Sequence, residues 1–380
     1  AMTRPPLIQL WSDFLRLGAL GFGGPQAHLA LQHELAVHQR QWLNDADFRE
    51  GQAFCELLPG PASTQMAIWL GWRQAGWWGG LISGLAFLLP ALVLMLIGSA
   101  LYFRFRSLPQ LQGILFGLQP AVLAVLALFC WRQARKGLTQ WPERAIALAA
   151  LLLTVTQVLA IPLQFLLAGL VTLTIAGVRL PSGAWLPVSS GFVLGSVTHP
   201  DLWPLFGFCL RTGSLVFGGG LVLVPLMQRA VVHDYGWLTS QEFLDGVALG
   251  QLTPGPVTMT ATFIGYGTAG LIGALVATLG IYLPSFAFIL LGAPLLARLR
   301  QQIWVATALR GVTAVVPGAI AAATLQLAQA NLIWSDPPRL LTQLGLLLAS
   351  GLALGQGVPS WQVIPLAGLL GGLITATLPR

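Results

Sequence analysis

The sequence LPGP at residues 58–61 recurs 195 residues later as TPGP at residues 253–256. Two prolines around a glycine end one helix and begin another, because proline lacks an amide hydrogen and clashes with the preceding helical turn. The flanking residues are largely apolar in both places. Helix breaks at corresponding points of two apolar segments are typical of membrane transporters that consist of structural repeats.

These breaks belong to a longer internal repeat. Residues 10–61 align without a gap with residues 205–256, and 20 of the 52 positions are identical. An earlier break lies in each copy, FGGP at residues 22–25 and FGGG at residues 217–220. After one deletion the match continues at a shift of 194 residues, through RFR at residues 104–106 and RLR at residues 298–300. The sequence therefore predicts a first repeat over residues 7–180, a connector over 181–204 and a second repeat over 205–380.

The composition places this chain in a lipid bilayer. Only 31 of the 380 residues are Asp, Glu, Lys or Arg, which is 8%, against about 25% in soluble domains. The mean hydropathy is +0.76. A soluble enzyme, a disordered chain and a disulfide scaffold are excluded, and the net charge of +7 is spread over loops in a way that does not indicate nucleic acid.

Charge-free intervals predict about ten to twelve membrane segments, at about 20 residues for each crossing. Residues 145–178 and residues 340–379 each fit two segments separated by a turn, the first near Pro162 and the second at residues 356–360. The predicted fold is an all-α polytopic membrane protein with two homologous repeats, broken helices and halves of inverted orientation. The arginine clusters do not settle the orientation, because they lie at both ends of residues 107–131.

Each break frees the amides of the first three residues of the following helix, and a helix N-terminus carries about half a positive charge. Four such ends that meet at the repeat interface would hold a small anion. The alternative is that the glycines only permit close helix packing. The candidate binding residues are Arg16, Gly23, Gly24, Pro25, Gln26, His28, Pro59, Gly60, Pro61, Ala62, Ser63, Thr64, Gln65, Arg211, Gly218, Gly219, Gly220, Gln251, Thr253, Pro254, Gly255, Pro256 and Thr258.

Three charged or titratable features have competing interpretations. Arg16 and Arg211 occupy the same repeat position and are predicted counter-charges for the anion, although snorkelling to headgroups is an alternative. Glu56, which aligns with Gln251, is the candidate for proton coupling or for pairing with Arg16. The histidines near residue 33 lack metal-ligand spacing, so no metal and no cofactor are expected.

The same motifs resemble the chromate ion transporter family in its long-chain, two-domain form. The resemblance rests on FGGP and AH at residues 22–28, LLPGP at residues 57–61, and LGQLTPGP with TATFIGY at residues 249–266. It covers residues 10–105 and 205–300 closely. It implies a multi-pass protein of the bacterial inner membrane that exports chromate and discriminates poorly against sulfate. Glu56 departs from the pattern, because the family is expected to carry glutamine there.

The sequence thus favours a secondary transporter that exports chromate, with an importer or exchanger of sulfate or another oxyanion as the alternative. No GxxxxGK[ST] fingerprint for ATP occurs, and no acidic pair indicates an enzyme. A channel is disfavoured by the duplicated breaks. The expected partners are a chromate- or sulfate-type oxyanion and the lipid bilayer, with a homodimer left open and no nucleic acid.

Overall fold

A computed structural model of the chain describes residues 5–178, 202–217, 219–292 and 302–377. Helices form all the regular secondary structure of these residues, which confirms the predicted all-α class. The connector predicted at residues 181–204 lies outside this part except for its last three residues, 202–204.

The first repeat contains α1 (Leu7–Leu20), α2 (Pro25–His33) with a π-helical extension (Glu34–Gln39), α3 (Asp45–Leu57), α4 (Ala62–Phe105), α5 (Pro109–Gly137), α6 (Trp141–Val155) and α7 (Ile161–Ile175). The second contains α8 (Leu202–Gly213), a 3₁₀ turn (Gly220–Val222), α9 (Leu223–Arg229) with a π-helical extension (Ala230–Asp234), α10 (Ser240–Leu252), a 3₁₀ turn (Val257–Met259), α11 (Thr260–Leu290), α12 (Ile303–Asn331), α13 (Pro337–Gly355) and α14 (Ser360–Thr377).

The helix after each PGP break folds back on itself as a helical hairpin. Gly76 in α4 and Gly270 in α11 have φ of +66° and +61°, and each follows an alanine with non-helical backbone angles. Ser83 Oγ donates to the Ala67 carbonyl at 2.9 Å, and the Thr262 and Thr278 hydroxyls are 2.7 Å apart. Sixteen residues of straight helix would separate such groups by about 24 Å, so the chain must reverse at both glycines.

In the part of the chain that the structure describes, six helices are long and apolar enough to cross a bilayer: α4, α5, the segment Val257–Leu290, α12, α13 and α14. Most of the other helices have 15 residues or fewer, which at 1.5 Å per residue is shorter than the hydrocarbon core of about 30 Å. The predicted number of about ten to twelve membrane segments stays a prediction. The paired segments predicted at residues 145–178 and 340–379 are confirmed as α6 with α7 and α13 with α14.

The two repeats exchange packing partners. Helix α5 of the first repeat packs against α13 and α14 of the second, and α12 of the second packs against α6 and α7 of the first. Close glycine contacts make both interfaces: a Cβ on Gly117 would lie 2.0 Å from the Ala367 carbonyl oxygen, and one on Gly311 would lie 2.3 Å from that of Ala168. Each half therefore completes its core with helices of the other half, and α4 and α11 pack against each other at the junction.

Candidate functional site

The helix breaks of the two repeats are hydrogen-bonded to each other in a reciprocal pattern. The Gly60 amide donates to the Val216 carbonyl at 2.7 Å, and the Gly255 amide donates to the Gly21 carbonyl at 2.8 Å. Gly60 and Gly255 are equivalent positions of the repeat, and so are Gly21 and Val216. Each PGP break is thus joined to the end of the first helix of the other repeat, as a two-fold relation between the halves requires.

A third contact joins these two pairs of breaks to each other. Gly220 lies against Val257 and the Thr258 amide, so the GGG and PGP breaks of the second repeat touch. Gly60, Gly219 and Gly255 have φ of +131°, +130° and +102°, a backbone region that residues other than glycine rarely adopt. All four breaks therefore meet at one place. Gly218, which the sequence predicts here, lies outside the described residues.

The first repeat adds a buried polar cluster at this meeting point. His28 and Gln32 lie one turn apart on α2 and are 1% and 0% exposed. His28 Nε2 contacts the Gly21 carbonyl at 2.7 Å, the same oxygen that the Gly255 amide reaches. Gln32 Nε2 donates to the Ser63 carbonyl at 2.9 Å. The side chains of α2 thus connect the first break to the start of α4.

Gln65 and Ser285 complete the cluster on the side of α11. Gln65 Nε2 donates to the Pro59 carbonyl at 2.6 Å. A Cβ placed on Gly60 would lie 2.4 Å from Gln65 Nε2 and 2.5 Å from Ser285 Oγ. Both side chains are fully buried. Glycine is therefore required at position 60 both for its backbone angles and for the close approach of two polar side chains.

Most of the cluster's polar groups have an atom without a hydrogen-bond partner. Such buried atoms in the described residues are His28 Nδ1, Gln32 Oε1, Ser63 Oγ, Thr64 Oγ1, Gln65 Oε1, Ser99 Oγ, Gln251 Nε2 and Ser285 Oγ. An unpaired buried polar group costs about 1–3 kcal/mol, so native proteins keep few of them. All of these atoms except Ser99 Oγ belong to residues at or beside the breaks, and a polar ligand bound there could pair with them.

Backbone amides at the start of α4 supply further donors. The Thr64 and Gln65 amides already donate to the Pro61 carbonyl, at 2.9 and 3.0 Å, whereas the Ala62 and Ser63 amides have no intrahelical acceptor. The prediction that three amides are free after each break was therefore wrong by one residue. The third amide after a break is also bonded in two other places. The His28 amide donates to the Gly24 carbonyl, and the Met259 amide donates to the Pro256 carbonyl.

The corresponding positions of the second repeat have different chemistry. Thr258 is bonded to the Tyr282 hydroxyl at 2.6 Å, and Thr260 donates to the Val257 carbonyl at 2.8 Å. His28 and Gln32 correspond to Leu223 and Met227. Gln251 keeps an unpartnered amide nitrogen while its oxygen accepts from Ser360 at 3.3 Å. The second repeat therefore repeats the backbone breaks with mostly apolar or internally satisfied side chains.

The predicted site residues divide by exposure. The buried ones are His28, Gly60, Pro61, Ser63, Thr64, Gln65, Gly220, Pro254, Gly255, Pro256 and Thr258. Partly buried ones are Gly24, Pro25, Pro59, Ala62, Gly219, Gln251 and Thr253. The exposed ones are Arg16, Gly23, Gln26 and Arg211.

The two arginines and Glu56 lie outside the buried cluster. Arg16 is on an exposed face of α1, and Arg211 is at the equivalent exposed position of α8. Exposure on an apolar helix fits the snorkelling alternative better than a counter-charge role. Glu56 is also exposed and accepts a hydrogen bond from Gln52 at 2.9 Å. The contacts therefore do not pair Glu56 with Arg16.

Gln32 and Ser285 belong to the cluster but were absent from the sequence-based list. Gln32 could have been found from its position four residues after His28, which places both on one helix face. Ser285 could not, because its repeat equivalent is Ala91 and no motif surrounds it.

His33 links the end of α2 to the start of α3. His33 Nε2 contacts Asp45 Oδ1 at 2.8 Å, and this hydrogen bond lowers the pKa of the Asp45 carboxyl. In the described ranges, no group of three or more His, Cys, Asp or Glu side chains could hold a metal ion.

Comparison with known proteins gives the family. The model of the chromate transporter family matches residues 8–175 and 203–373. The chain belongs to this family. The two matches correspond to the two repeats, and together with the six apolar helices they describe a multi-pass membrane protein of a transporter family.

Curated relatives match over nearly the whole chain. A probable chromate transport protein of Synechococcus elongatus is 34% identical over 96% of this chain and 95% of its own length. The chromate transport protein of Cupriavidus metallidurans is 34% identical over 86% of this chain and 84% of its own length. The chromate transport protein of Pseudomonas aeruginosa is 32% identical over 86% of this chain and 82% of its own length. No solved structure gives a significant match.

Proposed function

We propose that this chain is a secondary transporter that exports chromate across the bacterial inner membrane and binds the anion where the four helix breaks meet. The observation that carries the proposal is the set of buried, unpartnered polar atoms of the first repeat, at the N-terminus of α4. The family and the chromate transport proteins among its relatives support chromate as the substrate.

The chemistry of the cluster suits an oxyanion. The hydroxyls of Ser63, Thr64 and Ser285 can each donate a hydrogen bond, and the free amides of α4 add donors and the positive end of a helix dipole. No hydrogen bond or ion pair joins these described side chains to a carboxylate that would repel an anion. The oxygens of Gln32 and Gln65 accept hydrogen bonds from water that accompanies the anion.

The membrane potential is sufficient to drive export. A dianion that leaves a negative cell interior gains about 4.6 kcal/mol for each 100 mV, at about 2.3 kcal/mol per charge. This corresponds to more than three decades of concentration ratio, at about 1.4 kcal/mol per decade. Export in this account therefore needs no nucleotide hydrolysis. The opposite orientation of the two repeats and the assembly of a homodimer remain predictions.

Flux measurements in proteoliposomes test the proposal. Purified protein is reconstituted, vesicles are loaded with chromate, and efflux is followed under an imposed potential, with sulfate, molybdate or phosphate as competitor. We expect an outward flux that rises when the chromate-containing side is negative, compared with protein-free vesicles. Flux that sulfate sustains far better than chromate would establish the oxyanion alternative. No flux of either anion above the control would contradict the proposal.

A further inference from the structure

A buried carboxyl near the junction of the repeats is not part of the anion site. Within the described ranges, Asp245 on α10 is 1% exposed. Its Oδ2 accepts from the Tyr102 hydroxyl at 2.8 Å, and its Oδ1 accepts from Gln119 Nε2 at 3.1 Å. Both donors belong to the first repeat, so this carboxyl of the second repeat is held between α4 and α5.

Two neutral donors are weak compensation for a buried carboxylate. An ionised carboxyl in an apolar environment needs a cation or several hydrogen bonds, and otherwise it takes up a proton. No ion pair or hydrogen bond joins Asp245 to an Arg, Lys or His of the described residues. A membrane carboxyl of this kind is by default a functional candidate.

The elements packed against α10 carry few charges near Asp245. Their titratable or charged side chains are Arg73, Tyr102 and Arg104 on α4, Arg106 directly after α4, Cys130, Arg132, Arg135 and Lys136 on α5, Arg229 on α9, His233 and Asp234 after α9, Tyr266 and Tyr282 on α11, and Arg310 on α12, with Glu242 on α10 itself. Of these described titratable side chains, Tyr102 is the one that forms a hydrogen bond with Asp245. Arg106, one turn after Tyr102, pairs instead with Glu242.

One buried face of α4 connects Asp245 to the helix breaks. Ala91, Met95, Ser99 and Tyr102 follow each other at helical spacing and are all buried. Ala91 lies directly against Gly255, whose amide is bonded to the first break. Eleven residues of helix, or about 16 Å, therefore separate this contact from Tyr102. Ser99, one turn before Tyr102, carries one of the unpartnered hydroxyls.

We propose that Asp245 binds a proton together with the transported anion and so couples anion movement to the pH gradient. This inference rests on the proposed anion transport. The ionised carboxylate repels an anion in the same low-dielectric junction, and protonation removes that charge. Proton and anion therefore bind together, and the proton taken up from water on one side is released to water on the other. A dianion then moves with one net negative charge.

Transport in proteoliposomes under a pH gradient at clamped zero potential tests this coupling, with chromate as the probe. In the wild type, acid on the chromate-loaded side should raise the steady-state chromate ratio about tenfold per pH unit for one coupled proton. Asp245→Asn keeps the shape of the side chain without the charge and should abolish this response while it retains chromate exchange between equal concentrations. The matched control is Glu50→Gln at the equivalent, exposed position of the first repeat, which should keep the wild-type response.

Contradicting results are distinct from failure of the proposed function. A wild type that carries chromate without any response to the pH gradient, or an Asp245→Asn variant that keeps the full response, would overturn the coupling role alone. If the wild type carries no chromate, infrared difference spectra of the purified protein between two pH values still decide the protonation of Asp245. The absorption of a protonated carboxyl should disappear in Asp245→Asn, and its persistence would overturn the inference.

A second variant covers the case in which Asp245→Asn does not fold. Tyr102→Phe removes one hydrogen bond to the carboxylate and keeps the ring. The ionised carboxylate of Asp245 loses a hydrogen bond that stabilises it, so the carboxyl should stay protonated up to a higher pH. The carboxyl absorption and the transport response should therefore both move to higher pH. An unchanged pH dependence of both would overturn the assignment.

Discussion

The two repeats make equivalent backbone hydrogen bonds at their PGP breaks and have different chemistry around them. Gly60 and Gly255 make equivalent hydrogen bonds to the opposite repeat, and Gly76 and Gly270 turn equivalent hairpins. Beside this shared frame, the first repeat carries polar side chains with unpartnered atoms. In the second repeat, most of the equivalent side chains are apolar or bonded within the protein.

This difference separates the roles of the two repeats. Reciprocal docking of the breaks needs both copies, because each PGP segment finds its partner carbonyl in the other. Contact with the solute needs polar groups that the fold leaves unpaired, and most of those lie in the first repeat. The duplicated backbone therefore builds the frame, while one copy supplies most of the anion contacts in our proposal.

The largest expected effect is a change to the frame itself. Gly60→Ala places a methyl group against Gln65 and Ser285 and forces alanine into a backbone region that costs about 1–3 kcal/mol. We expect at least about a tenfold loss of chromate flux, because a loss of 1.4 kcal/mol in binding is a factor of ten. Gly345→Ala, at a helical glycine with open space around it, is the control. Wild-type flux in Gly60→Ala would show that the frame is not needed.

The next effect distinguishes the two repeats by the sign of the stability change. Ser63→Ala with Thr64→Val removes two unpartnered hydroxyls, so the protein should be as stable as the wild type or more stable, while chromate binding weakens. Thr258→Val instead leaves the Tyr282 hydroxyl without its partner, which should cost about 1–3 kcal/mol of stability and change binding less.

Thermal unfolding and chromate binding of the same detergent-solubilised samples measure both quantities. Equal losses of binding in the two variants would contradict the asymmetry, and so would a large loss of stability in the first variant alone.

The smallest effect is expected at the exposed arginines. Arg16→Gln should change chromate affinity by no more than about fivefold, since exposed charges contribute about 0–1 kcal/mol. Proteoliposome flux at several chromate concentrations measures this change, with Arg49→Gln on the exposed face of α3 as a control for net charge. A loss that matches the Ser63 and Thr64 variant would restore Arg16 as a counter-charge.

The sequence was sufficient for the fold class, the repeat and the positions of the breaks, because proline and glycine act through local backbone geometry. It was not sufficient for the hairpins, since Gly76 in an apolar run has the same pattern as a glycine that only permits packing. The reversal depends on contacts between residues 16 positions apart, such as Ser83 with Ala67.

Part of the site could be predicted from the sequence, because several of its residues directly follow a helix break. Ser63, Thr64 and Gln65 follow a break and could be named from it, whereas Ser285 comes from the other repeat through tertiary packing. Charge was a poor guide: Arg16 and Glu56 are exposed, whereas Asp245, which was not among the predicted site residues, is buried. Burial depends on which helices pack against α10, and spacing along the chain does not contain that information.

The position of the bound anion tests the central claim most directly. An experimental structure of the protein in a lipid nanodisc, determined with and without chromate, would locate the anion from the difference density of chromium. The account predicts one peak at the start of α4, within hydrogen-bonding distance of the Ser63 and Thr64 hydroxyls and close to Ser285. A peak beside Arg16 and Arg211, or beside Thr258 with the first-repeat cluster empty, would contradict it.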